Sequence, residues 1–188
     1  VYGERRGILV EHYIISSGLR EIIEGTAIAK DFTHIYASSF YYNEHGEPCW
    51  PAQVINYTNK TQFLFRIEKG ILDINDNAVN DHFAEGELRV PFRNIVYIGD
   101  SATDIPCMRL VNSLGGHSVG VYDLENTASK DTVRRMIRDE RIRYYVPADY
   151  TKGSEMDTLM HQIIDKTAAY EVLEEKHLRD RKEAIGLK

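Results

Sequence analysis

The chain has 188 residues, of which 43% are hydrophobic and 28% charged, with a formal net charge of -6. That length suits one domain of ordinary size with a real core. Acids and bases are mixed along the sequence, so it offers no basic footprint for nucleic acid and no polybasic face for anionic lipid; a small anion would need a local site. No apolar run reaches the roughly 18–20 residues that span a bilayer, and no secretory pattern precedes the first strand. A cytoplasmic location is the default expectation. Cys49 and Cys107 have no C-x-x-C spacing, which argues against a disulfide framework or a zinc site and casts both as small buried hydrophobes or bystanders. The start at Val1-Tyr2-Gly3 rather than at Met is read as processed, trimmed or fragmentary.

In chain order, Gly7 to Ser16 (GILVEHYIIS) reads as a buried strand running into Ser16-Ser17-Gly18. Leu19, Ile22 and Ile23 then recur at helical spacing, with Gly25 as the stop. His34 to Tyr42 is β-rich, and turn residues Asn43 to Gly46 lead into Pro48 to Tyr57. Together they predict a β-hairpin or flap over about residues 36–58. Thr58-Asn59 can cap a helix, KTQFLFRIEKG, whose Phe63, Leu64 and Ile67 share a face and which Gly70 ends.

Ile95 to Ile98 is the next buried strand and Ile105 to Leu114 the next helix, with Pro106 tolerated in its first turn. Gly115-Gly116 breaks that helix before a strand, His117 to Tyr122. A helix around Thr127 to Asp139 carries Val133, Met136 and Ile137, and Tyr144 to Pro147 is a last short strand. From Ser154 a long helix is apolar at Met156, Leu159, Met160, Ile163 and Ile164. Its end, EEKHLRDRKEA, is a solvated charged face or a partner contact. The alternation indicates an α/β domain with a mainly parallel sheet, flanking helices and right-handed crossovers. Residues 1–165 would form its core and 154–188 a C-terminal helix and tail. Ligands of such sheets bind beyond the carboxyl ends of the strands, an edge that Ser16-Ser17 and Asp100 share if their strands are parallel.

Four positions could carry chemistry. Ser16 combines a hydroxyl with the backbone N–H groups of Ser17, Gly18 and Leu19 at a helix start, a natural oxyanion site, or it is a plain N-cap. Lys60 sits in a first helical turn, where the dipole disfavours a cation and an anionic partner would resolve the conflict. Asp100 follows a buried strand and Gly99, where a carboxylate can reach a hard cation such as Mg2+. Asp104, four residues on, can hold a metal-bound water, stabilise the loop or cap the helix. Asp73 to Asn77 (DINDN) imitates the start of a calcium loop, but Ala78 and Ala84 replace the glycine and glutamate such a loop needs. His12 and His34 read as core histidines, and Tyr41, Tyr42 and Trp50 could face a substrate or pack.

Three stretches, in this order, resemble the later motifs of the haloacid dehalogenase superfamily. YIISSG is similar to the second, an apolar strand ending in Ser or Thr, on Ser16. TNKTQFLF is similar to the third, a lysine opening a helix, on Lys60. YIGDSATD is similar to the fourth, G-D-x-x-x-D, on Gly99, Asp100 and Asp104. The likeness spans roughly residues 10–150, and the flap before Lys60 fits the phosphoserine-phosphatase-like branch. It implies a Rossmann-like fold and a Mg2+-dependent phosphohydrolase that acts on a small phosphorylated metabolite through an aspartyl-phosphate. Ser16, with Ser17 and Gly18, would bind the phosphoryl oxygens. Lys60 would neutralise charge and position the nucleophile, Asp100 would ligate Mg2+, and Asp104 would support them from behind.

The first motif of that family, D-x-D, supplies the nucleophile and the general acid/base, and this sequence contains no D-x-D. In the family it lies on a strand in the middle of the sheet, whose loss would leave neighbouring backbone groups unpaired. The expectation is therefore the C-terminal portion of a longer enzyme, with its missing N-terminal segment as partner. The alternative is a non-catalytic phosphate-binding or regulatory module on the same fold. An acidic strand-end site of receiver type is a third.

Overall fold

The computed structural model describes residues 2–186. In chain order the elements are α1 (Tyr2–Arg5), β1 (Tyr13–Leu19), α2 (Arg20–Glu24), β2 (His34–Tyr42), β3 (Pro48–Gln53) and α3 (Thr61–Lys69). They continue with β4 (Val96–Gly99), α4 (Ile105–Ser113), β5 (His117–Tyr122), α5 (Thr127–Arg138), β6 (Tyr144–Pro147) and α6 (Glu155–Ala184). The chain divides into two compact units, residues 11–146, and residues 1–10 with 147–188.

The larger unit is α/β, but its strands do not form the single sheet that the alternation predicts. Among the described residues they make two three-stranded sheets, ordered β1-β2-β3 and β4-β5-β6. β1 runs parallel to β2, with Ile15 opposite Tyr36, and β3 returns antiparallel, with Trp50 opposite Tyr41. β4 runs parallel to β5, with Val96 opposite His117 and Gly99 opposite Gly120. β1 and β4 thus each stand at the end of a sheet, paired on one side. Periodicity finds a strand; it does not say which edges meet.

Burial follows from that arrangement. Every residue of β5 is buried, as expected for a strand covered on both faces, whereas Ile98 on β4 is 39% exposed. The main core gathers Leu64, Tyr97, Cys107, Met108, Val111, Val133 and Met136, and a second cluster gathers Tyr36, Ile55, Phe63 and Ile67. Ile15 of β1 packs against both. α3 and α4 match their expected spans because their apolar positions at i, i+3 and i+4 face these clusters and Gly70 takes the left-handed conformation that ends α3.

Three departures have local causes. The GILVEHY run is not one strand: Arg6 and Ile8 both donate backbone N–H groups to the Gly3 carbonyl, and Gly7 has a positive φ of 73°. The chain folds back there, and a Cβ on Gly3 would overlap the Ile8 carbonyl. β1 therefore starts at Tyr13, leaving Leu9 78% exposed and His12 outside the core. At its other end β1 does not stop at Ser16 but bulges and runs on to Leu19, which pairs with Ser38. Finally, Thr58 and Asn59 do not cap α3; Asn59 accepts from the Asn56 N–H and donates to the Val54 carbonyl, so both residues build the approach loop.

The hairpin projects its aromatic side chains into solvent, with Trp50 68% and Tyr41 58% exposed, so these rings are not core. Its base is tied down by Glu21 of α2, whose carboxylate accepts from the Phe40 N–H at 3.3 Å and the Tyr42 phenol at 2.9 Å. Cys49, on β3, is exposed rather than buried.

After α3, the DINDN loop closes around a cation that the chain supplies. The buried Arg66 guanidinium donates to the carbonyls of Asp73 (2.6 Å), Ile74 (2.8 Å), Asp76 (3.2 Å) and Ile71 (3.4 Å). Lys69 does the same one turn on, donating to the Val79 and Asp81 carbonyls. Two basic residues at the end of α3 also complement its dipole.

In the smaller unit, the Tyr2 phenol and the Arg6 guanidinium both donate to Asp165 of α6, and the Tyr2 ring stacks on His161 at 3.7 Å. Ser154 caps α6 by accepting from the Asp157 N–H. The helix is 30 residues long; Met156 and Ile163 are buried, while Val172, Leu173 and Leu178 are exposed. Among the described residues no helix is long and apolar enough to cross a membrane.

Arg66→Ala removes the one donor group that four loop carbonyls share. It is expected to lower unfolding stability by about 2–4 kcal/mol in urea denaturation, with Arg66→Lys recovering only part because a single ammonium cannot span the carbonyl set.

Candidate functional site

The site grows from the end of β4. Residues at i and i+2 of a strand face the same side, so Tyr97 and Gly99 look toward the turn at 101–104 that folds back over them. Asp104 ends that turn and is only 6% exposed. Its Oδ1 accepts from Lys60 Nζ at 2.7 Å and from the Tyr97 phenol at 2.9 Å, and its Oδ2 from Ser101 Oγ at 3.1 Å. Gly99 makes room for this: a Cβ there would stand 2.8 Å from Asp104 Cβ, Cγ and Oδ2.

Lys60 opens α3 in helical conformation and is 6% exposed. Asp104 supplies the anion that a lysine at a helix start calls for. The two segments, 44 residues apart, are joined by this buried ion pair. Taking both charges out of water is costly, and the Tyr97 and Ser101 hydroxyls offset part of that cost by donating to the same carboxylate. Cys107 completes the packing at 0% exposure. Burial pushes the Cys107 thiol up to about 11, against partial relief from Tyr97 and Lys60, and drives the Tyr97 phenol upward as well.

The remaining predicted residues lie outside this cluster. Asp100 is exposed just past β4 and, among the described residues, has no hydrogen-bond or ion-pair partner. One carboxylate there suits Mg2+, which takes one or two protein carboxylates and keeps several waters. Among the described residues no three His, Cys, Asp or Glu side chains gather as a metal group. Ser16 accepts the Gly18 N–H at 3.0 Å, so one of the N–H groups expected to face an anion is spent on the serine itself. The Ser16 hydroxyl keeps its own proton to donate. Ser17 and Gly18 are exposed in the bulge, and the Ser17 carbonyl accepts from Ser38 Oγ.

Sequence reasoning missed Tyr97 and Ser101. A tyrosine in an apolar strand reads as core, but its polar tip needs a partner when buried. The signal available was its place two residues before Gly99, on the face that the acidic turn must cover.

No family model matches the sequence. An uncharacterized protein of Borreliella burgdorferi is 24% identical over 161 residues, a match covering 78% of this chain and 55% of that protein. The chain spans about half the length, 55%, of the relative it matches.

Breaking the ion pair from one side leaves an uncompensated buried charge, so Lys60→Met or Asp104→Leu alone is expected to cost about 3–5 kcal/mol. The double substitution should cost well below the sum in the same urea titration. The buried acids set an alkaline limit. A thiol raised from 9.0 to about 11 and the Tyr36 phenol raised from 10.0 to about 12, both by burial, contribute stability that is complete below pH 9. That contribution is lost as pH rises through 11 and 12, where the unfolded chain ionises first. Denaturation midpoints should therefore fall between pH 9 and pH 12, and Cys107→Ala should flatten the part between 9 and 11.

Proposed function

We propose that the chain is the C-terminal portion of a cytoplasmic, Mg2+-dependent phosphohydrolase of the haloacid dehalogenase superfamily, acting on a small phosphorylated metabolite. The observation that carries this reading is the buried 2.7 Å bond between Lys60 and Asp104. The likeness of two separate segments to the third and fourth motifs requires them to meet, and they do.

The parts this chain contributes follow from their chemistry. Lys60 gives one N–H to Asp104 and has two more for a phosphoryl oxygen or a nucleophilic carboxylate. Ser16, with the Ser17 and Gly18 backbone, would donate to the transferring group. Asp100 would hold Mg2+, which supplies positive charge to the phosphoryl oxygens and the attacking group. The nucleophile and the acid/base would come from a D-x-D segment outside this sequence. One carboxylate attacks phosphorus as the other protonates the departing alcohol, and water then releases phosphate.

The sheets favour such a segment. An added parallel strand pairing with both β1 and β4 would merge the two ladders into one Rossmann-like sheet and cover Ile98. Ile15, in contact with both core clusters, already lies where the halves join. The D-x-D carried at the end of that strand would then open beside Asp100.

The full-length protein is expected to encode D-x-D upstream of Val1 and to hydrolyse p-nitrophenyl phosphate with Mg2+. Asp100→Ala should remove more than about 10²-fold of that turnover. Undiminished activity in Asp100→Ala defeats the reading. No turnover, with orthophosphate still raising the melting temperature, is the result for a non-catalytic phosphate-binding module.

A further inference from the structure

We propose that Tyr97 is a positioning residue of this site: its phenol fixes the Asp104 carboxylate in the orientation that presents the Lys60 ammonium to a bound anion. The proposal rests on the phosphoryl-site reading and adds a residue to it.

A lysine ammonium sits on a flexible four-carbon stem, so its place is decided by what holds it. Here that is Asp104 Oδ1, which also takes the Tyr97 hydroxyl at 2.9 Å. A carboxylate turns freely about its Cβ–Cγ bond unless donors pin it. Of the other two donors, Lys60 is the group to be placed, and Ser101 lies on the turn and shares its hydroxyl with Thr103 Oγ1 at 2.7 Å. The Tyr97 ring is 8% exposed and belongs to the main core cluster, so it is the one donor whose position packing locks.

Burial holds the phenol protonated, and it donates through the whole neutral range. Without it, Oδ1 keeps only the lysine, the carboxylate swings toward Ser101, and the ammonium follows. Shifts of about 1 Å at this distance from the chemistry are worth up to about 10²-fold in rate.

The test is a cycle in the full-length protein: Tyr97→Phe, Lys60→Gln and both together. Orthophosphate dissociation constants come from calorimetry, and kcat and KM from p-nitrophenyl phosphate. Tyr97→Phe, which keeps the ring, is expected to weaken orthophosphate about 10-fold and to lower kcat more than it alters KM. Added to Lys60→Gln it should cause no further loss. A purely structural hydroxyl would lower the melting temperature yet leave affinity unchanged, or would add its full factor in the Lys60→Gln background; either result overturns the proposal.

Binding without hydrolysis in the wild type defeats the phosphohydrolase reading alone, since the cycle is still read in dissociation constants. If orthophosphate does not bind, the Lys60 ammonium 15N signal decides. It should shift or broaden in Tyr97→Phe, and an unchanged signal refutes the placement.

Discussion

A lysine and an aspartate that share a proton-rich contact inside a protein are a liability before they are an asset. Lys60 and Asp104 each lose most of their hydration, and mutual attraction alone does not recover that cost. The pair is sustained by what surrounds the carboxylate: the Tyr97 phenol, the Ser101 hydroxyl and the vacant side of Gly99. The end of β4, the turn that follows and the start of α3 are consequently one object. The main core beneath them, through Cys107, Met108 and Leu64, sets where that object sits.

Local pattern made much of this readable. β2, β5 and β6 begin and end where composition and turn residues place them, and α3 and α4 agree within a residue because their apolar spacing meets a real core. Lys60 and Asp104 are each visible in the sequence, one as a cation at a helix start and the other as a second acid four residues after Asp100, just before a helix. That each is the other's answer was not visible, because a contact across 44 residues leaves no trace in either segment's periodicity.

The misreadings share a cause. Ser16-Ser17-Gly18 looks like the end of a strand, yet the pairing of Leu19 with Ser38 carries β1 past it through a bulge. Gly7 looks like the opening of an apolar strand, yet its positive φ turns the chain back on Gly3. In both places the sequence is compatible with two conformations and tertiary hydrogen bonds choose between them. The split into two sheets belongs here too, since strand order is a property of edges and not of residues.

The DINDN loop shows the opposite economy. Its backbone oxygens converge as they would on an ion, but the converging point is the guanidinium of Arg66, on the helix that precedes the loop. A tethered cation is present at unit stoichiometry from the moment of synthesis. This stretch of the surface therefore draws its shape from a contact that the chain itself supplies.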